Sequence, residues 1–118
     1  MVYEDVEVNG VIKRNYTLIQ GDNFAGTVAI RQDGLNVDGS KIDTLKFKLS
    51  DRNYNLLYEQ TLEYNENDKK WYINIPSAVS KEIGVGRYIY EYELTLVGGF
   101  VTTIMQANFK ITNEIKGE

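Results

Sequence analysis

The stretch that most constrains this chain is residues 87–112, RYIYEYELTLVGGFVTTIMQANFKIT. It reads as a long β-hairpin turning at Gly98-Gly99, because a two-residue glycine loop accepts the positive φ values of a tight hairpin turn. That turn pairs Val97 with Phe100 and Leu96 with Val101. One face then carries Tyr88, Tyr90, Tyr92, Leu94 and Leu96 opposite Phe109, Ala107, Met105, Thr103 and Val101. The other face carries Ile89, Glu91, Glu93, Thr95 and Val97 against Asn108, Gln106, Ile104, Thr102 and Phe100. A slip of one residue would turn one strand's apolar set outward. A sheet with one apolar face must be covered by the rest of the chain.

The rest of the chain reads as short strands. Residues 2–8 (VYEDVEV) are a weak strand candidate, and residues 1–15 read as an arm. YTLIQ at 16–20 is short and is broken by Gly21-Asp22. FAGTVAIRQ at 24–32 places Phe24, Val28 and Ile30 on one face. Residues 42–50 alternate, with Leu45, Phe47 and Leu49 inward and Lys46 and Lys48 outward. Residues 54–64 read as one further strand, and 70–75 place Trp71, Ile73 and Ile75 together. Pro76 ends that strand. SAVSKEIG at 77–84 reads as one helical turn capped by Ser77, with Gly84 near its end. Residues 113–118 read as a frayed tail.

These elements predict a single domain over 1–118, an all-β, antiparallel immunoglobulin-like β-sandwich of about seven strands with one short helix. Tyr88 in GRYIY sits where such domains place a corner tyrosine after a helical turn. Tyr90 stands where antibody domains carry a cysteine, and Trp71 comes too late for their core tryptophan, so the antibody family itself is not matched.

The chain has neither cysteine nor histidine. Disulfides, thiolate metal sites and Cys or His catalysis are therefore excluded. The loop 33–39 (DGLNVDG) fails as a calcium loop: aligning Asn36, Asp38 and Gly39 with its third, fifth and sixth positions puts Gly34 first and Leu45 twelfth. Glu91 and Glu93 read as a solvated sheet face, and no serine lies in a nucleophile elbow. No catalytic, metal or cofactor site is expected, and the chain reads as non-enzymatic. A net charge of −4 argues against nucleic-acid binding, and no apolar run is long enough for a membrane span. The stripe Tyr88, Tyr90, Tyr92 could form a sugar platform, but it shares a face with Leu94 and Leu96 and reads as core.

Several pieces occur in a suggestive order: QGDNF at 20–24, SKIDTLKFKLSD at 40–51, INIPSAVSKEIGVGRYIYEYEL at 73–94 and GGFVTTIMQANFKIT at 98–112. In this order the chain resembles small bacteriophage structural β-sandwich domains, especially the N-terminal domain of the phage baseplate upper protein family. The resemblance covers about residues 16–112 and rests on turn glycines and strand patterns. It implies a phage or prophage virion structural protein of tail or baseplate type, located in the virion and assembling with other virion subunits or with itself. Members of that family continue past this domain, so a fragment and a stand-alone component both stay open. The alternative is a carbohydrate-binding or adhesin-like module. The expected interface candidates are Val97, Phe100 and Ile104, grouped by the two-residue turn on the face opposite the core set; cover by the N-terminal arm is the competing reading.

Overall fold

The computed structural model describes residues 2–8 and 14–113, with backbone alone at 2, 105 and 106. In chain order the elements are β1 (Val2–Glu7), β2 (Tyr16–Ile19), β3 (Phe24–Gln32), β4 (Leu35–Asn36), a 3-10 turn (Gly39–Lys41), β5 (Ile42–Ser50), β6 (Leu56–Thr61), β7 (Glu63–Asn65), β8 (Lys70–Ile75), α1 (Ser77–Ile83), β9 (Gly86–Leu96) and β10 (Val101–Thr112). They form two sheets facing one another, an all-β sandwich. One has the order β1-β3-β8-β7, with β4 added beside β3; the other is β2-β10-β9-β5-β6.

The sandwich departs from the expected pattern in three places. First, it is not wholly antiparallel: β1 runs parallel to β3, and β2 runs parallel to β10. Residues 2–7, read as part of an arm, are thus an edge strand, with Val6 and Val8 buried in the core. Second, the expected strand 54–64 is split between sheets. Its first part, β6, pairs with β5. Leu62 is then buried at the crossing, its N–H donating to the Leu45 carbonyl at 2.8 Å, and β7 pairs with β8. Third, the helix N-cap is Pro76, not Ser77. Ser77 is already helical, and its free N–H is accepted by the Asn23 side chain at 2.7 Å, a cap supplied from the β2–β3 turn. Ser80 reinforces that join, accepting from the Gly21 N–H and donating to the Asp22 carbonyl, both at 3.0 Å.

The organising hairpin is present, with a register that changes along its length. The Leu96 N–H donates to the Phe100 carbonyl at 2.8 Å and the Gly99 N–H to the Leu96 carbonyl at 3.0 Å, closing a three-residue loop over 97–99 rather than a Gly-Gly turn. Gly98 and Gly99 hold φ values of 104° and 89°, the left-handed region that disfavours side chains. The extra residue shifts the upper ladder, so that Ile104 faces Tyr92 and Thr102 faces Leu94. A β-bulge follows, in which residues 105 and 106 stand opposite Glu91 alone, and the lower ladder returns to Tyr90–Ala107 and Tyr88–Phe109.

The core lies between the two sheets. Phe47, Tyr90, Tyr92 and Phe109 are each at most 1% exposed. Tyr16, Phe24, Phe47, Tyr90 and Phe109 form a continuous set of ring contacts with centroids 5.0–6.3 Å apart. Burial of each such side chain contributes about 1.5–3 kcal/mol before its ordering entropy is counted. Tyr88 takes the corner position read from the sequence: its phenol donates to the carbonyls of Gly84 at 2.9 Å and Ile83 at 3.2 Å, tying α1 to the start of β9.

Candidate functional site

Of the three interface candidates, the hairpin exposes two. Val97 is 65% and Phe100 68% exposed, and Val101 joins them at 53%. Ile104 is buried in the core, fully enclosed. The correction follows from the register: the three-residue loop moves β10 by one position above the bulge, and a one-residue shift exchanges its faces. Below the bulge the expected faces hold, with Ala107, Phe109 and Ile111 inward.

The tip is braced from outside the hairpin. The Val97 N–H donates to the Lys41 carbonyl at 3.0 Å, fastening the tip to the 3-10 turn. That turn is set by Asp38, whose carboxylate accepts from the Ser40 N–H at 3.0 Å; this bond holds the Asp38 carboxyl below the usual range. Just before it lies the β3–β4 turn, where Asp33 and Gly34 both take positive φ, 52° and 80°, and where Leu35 is 73% exposed. Thus one end of the sandwich presents Leu35, Val97, Phe100 and Val101 on well-anchored turns. The loop considered for calcium consists of these two turns, and among the described residues no acidic cluster of metal-binding size occurs.

The polar feature of the core was not anticipated. Glu4, on β1, points between the sheets and is 5% exposed. Its carboxyl meets the phenols of Tyr92 at 2.7 Å and Tyr90 at 3.1 Å, both on β9. Tyr90 has one phenolic proton. Its shorter contact, 2.6 Å, is to the Arg14 carbonyl, which can only accept. The Tyr90 phenol thus shares its proton between the Arg14 carbonyl and the Glu4 carboxyl. Burial pushes the Glu4 carboxyl upward, against the bonds from Tyr92 and Tyr90, which favour the anion. Burial and the neighbouring carboxyl push the phenols of Tyr90 and Tyr92 well above their ordinary value. Arg14 closes the outer side, donating to the Tyr3 carbonyl at 2.7 Å and standing 5.4 Å over the Tyr16 ring. The cue in the sequence is position 4 itself, an acid on the same parity as Val2, Val6 and Val8. The arrangement joins the two sheets.

Tyr88, Tyr90 and Tyr92 are therefore core residues, not a ligand platform. Glu91 and Glu93 lie on the outer face, as expected; Glu93 accepts from Lys48 at 2.8 Å, which raises the Lys48 ammonium. Among the described residues, no helix is long and apolar enough to cross a membrane.

The fold defines an all-β sandwich module, with Leu35, Val97, Phe100 and Val101 among its exposed apolar groups. No protein-family model and no curated protein matches the sequence. Among solved structures, the chain is similar to the N-terminal domain of phage TP901-1 ORF48, with a TM-score of 0.59 and 12% identity over 95% of this chain and 100% of that one. It also overlaps CopC from Methylosinus trichosporium OB3b (TM-score 0.45, 12% identity, 68% and 74% coverage) and a family 123 glycoside hydrolase from Clostridium perfringens (TM-score 0.47, 14% identity, 87% and 23% coverage). These two likenesses carry no functional argument.

Proposed function

We propose that this chain is a non-enzymatic structural module of a phage or prophage virion, of tail or baseplate type, acting by docking on neighbouring subunits. The observation that carries the reading is the fold match over the whole N-terminal domain of a phage protein. The order of sequence pieces resembling the phage baseplate upper protein family agrees with this reading, although no family model matches the sequence. The docking end is the braced tip, where Val97, Phe100 and Val101 stand exposed beside Leu35; exposed apolar groups on rigid turns suit a protein interface. The alternative of a carbohydrate-binding module drew on the aromatics, of which the stripe Tyr88, Tyr90 and Tyr92 is buried.

The test uses particles purified from the source strain after induction. The chain should co-sediment with them, and Phe100→Asp should abolish co-sedimentation while leaving the melting temperature within a degree or two of wild type. Absence of the wild-type chain from purified particles would overturn the reading.

A further inference from the structure

The outer face of the β2-β10-β9-β5-β6 sheet carries two kinds of cation. Lys46 and Lys48 are neutralised, by Glu59 at 3.3 Å and Glu93 at 2.8 Å. Towards β2 the pattern changes. Arg87 on β9 and Lys110 on β10 are direct cross-strand partners, and Thr17 on β2 follows Lys110 in the same row. Arg52, from the β5–β6 turn, reaches the same place. Together with Asn15, Thr17 and Asn108 these cations line a cleft of about 220 Å³. Among the described residues no acidic one lines it, and none of the three cations has an ion-pair partner.

Like charges set directly opposite one another destabilise a strand pair, and this chain holds 17 acidic against 13 basic residues. Among the described residues, two carboxylates near the cleft in sequence make no ion pair with its cations. Asp51, beside Arg52, accepts from the Asn53 and Asn55 N–H groups at 2.9 Å and from the Asn55 amide at 3.0 Å. Glu91 lies four residues along β9 from Arg87, about 13 Å at the strand rise, and pairs in register with Lys48. Asn15 accepts from the Asn108 N–H at 3.0 Å, which leaves its NH₂ group as a further donor.

We propose that this cleft is an oxyanion site that takes a single carboxylate or phosphate group. Arg87 and Arg52 offer forked N–H donors, Lys110 a mobile point charge, and Asn15 and Thr17 neutral hydrogen bonds. Its volume is below the roughly 300 Å³ at which pockets begin to enclose whole small molecules, which suits one anionic group. The inference does not depend on the docking role.

The probes are inorganic phosphate and succinate, each titrated into the full chain at fixed ionic strength against sodium chloride and followed by amide NMR. Saturable shifts are expected at residues 15, 17, 87, 108 and 110 with at least one of the two anions. Arg87→Gln should weaken binding at least tenfold, while Lys46→Gln should leave it unchanged. The anion that saturates first identifies the group preferred. A melting series adds a readout that needs no resonance assignment: without anion, Arg87→Gln should melt higher than wild type, and the binding anion should raise wild type only. Linear shifts equal to those in chloride, or equal binding by Arg87→Gln, would overturn the proposal.

Discussion

Tyr92 and Glu4, 88 residues apart in sequence, meet between the two sheets, the phenol donating to the carboxyl at 2.7 Å with both groups buried. The contact joins β1 to the facing sheet and supplies a core-facing acid with a specific partner. A buried polar group without partners costs more than a partnered one gains, so this cluster discriminates between alternative placements of the edge strand.

The Glu4 carboxyl gives a stability signature with a definite sign. Its folded-state pKa is raised by burial above the ordinary 4.5. Its contribution is therefore fully present below that ordinary value and is lost as pH rises through the raised one. Asp38 and Asp51 are shifted the other way, so the comparison must be with Glu4→Gln rather than with the raw profile. In urea unfolding, the stability difference between Glu4→Gln and wild type should grow in favour of the glutamine as pH rises from 4 towards neutrality. A difference independent of pH would mean that Glu4 titrates alike in the folded and the unfolded chain, and a difference of opposite sign that its carboxylate is favoured by folding.

The Tyr92 phenol should matter through Glu4 rather than through packing. Tyr92→Phe keeps the ring and removes the donor, so a loss of about 1–3 kcal/mol is expected. In the Glu4→Leu background the same change should cost less than half as much. A double-mutant cycle by chemical denaturation measures this coupling, and additive losses would show that the phenol does not act through Glu4.

How much of this was legible can be judged from particular residues. Leu45, Phe47 and Leu49 followed from strict alternation, and Tyr90 and Phe109 from the hairpin arithmetic. The Tyr88 corner was readable because it depends on a local helix–strand junction. The parallel edges were not readable, since β1 and β2 reach their partners through long-range contacts that carry no local pattern. Nor was the bulge: nothing in TTIMQAN marks where one residue is looped out, and both parities of that strand hold an apolar residue. Glu4 was readable by parity alone, but an isolated acid in a weak strand has no visible partner until Tyr90 and Tyr92 are brought beside it. The Arg87–Lys110 pair needed the register as well.

Tyr88→Phe should loosen one junction and leave the rest intact. The ring stays, but the bonds to the Gly84 and Ile83 carbonyls are lost. A decrease of about 0.5–1.5 kcal/mol in global stability is expected. Hydrogen exchange should speed up in α1 and at residues 84–88 more than in β5, and uniform acceleration would show that the corner does not act locally.

The register of the hairpin can be tested with two substitutions that only one of the two readings separates. With a two-residue turn, Ile104 and Phe100 share an exposed face, and truncating either would cost little. With the three-residue loop and the bulge at 105–106, Ile104 is enclosed opposite Tyr92 while Phe100 stays in solvent. Ile104→Ala should then cost about 2–5 kcal/mol, as for a buried aliphatic chain, and Phe100→Ala no more than about 0.5 kcal/mol, as for an exposed position. Denaturant midpoints at constant m-value give both numbers. Similar small losses at the two sites would put Ile104 back beside Phe100 on the outer face and remove the bulge from the account.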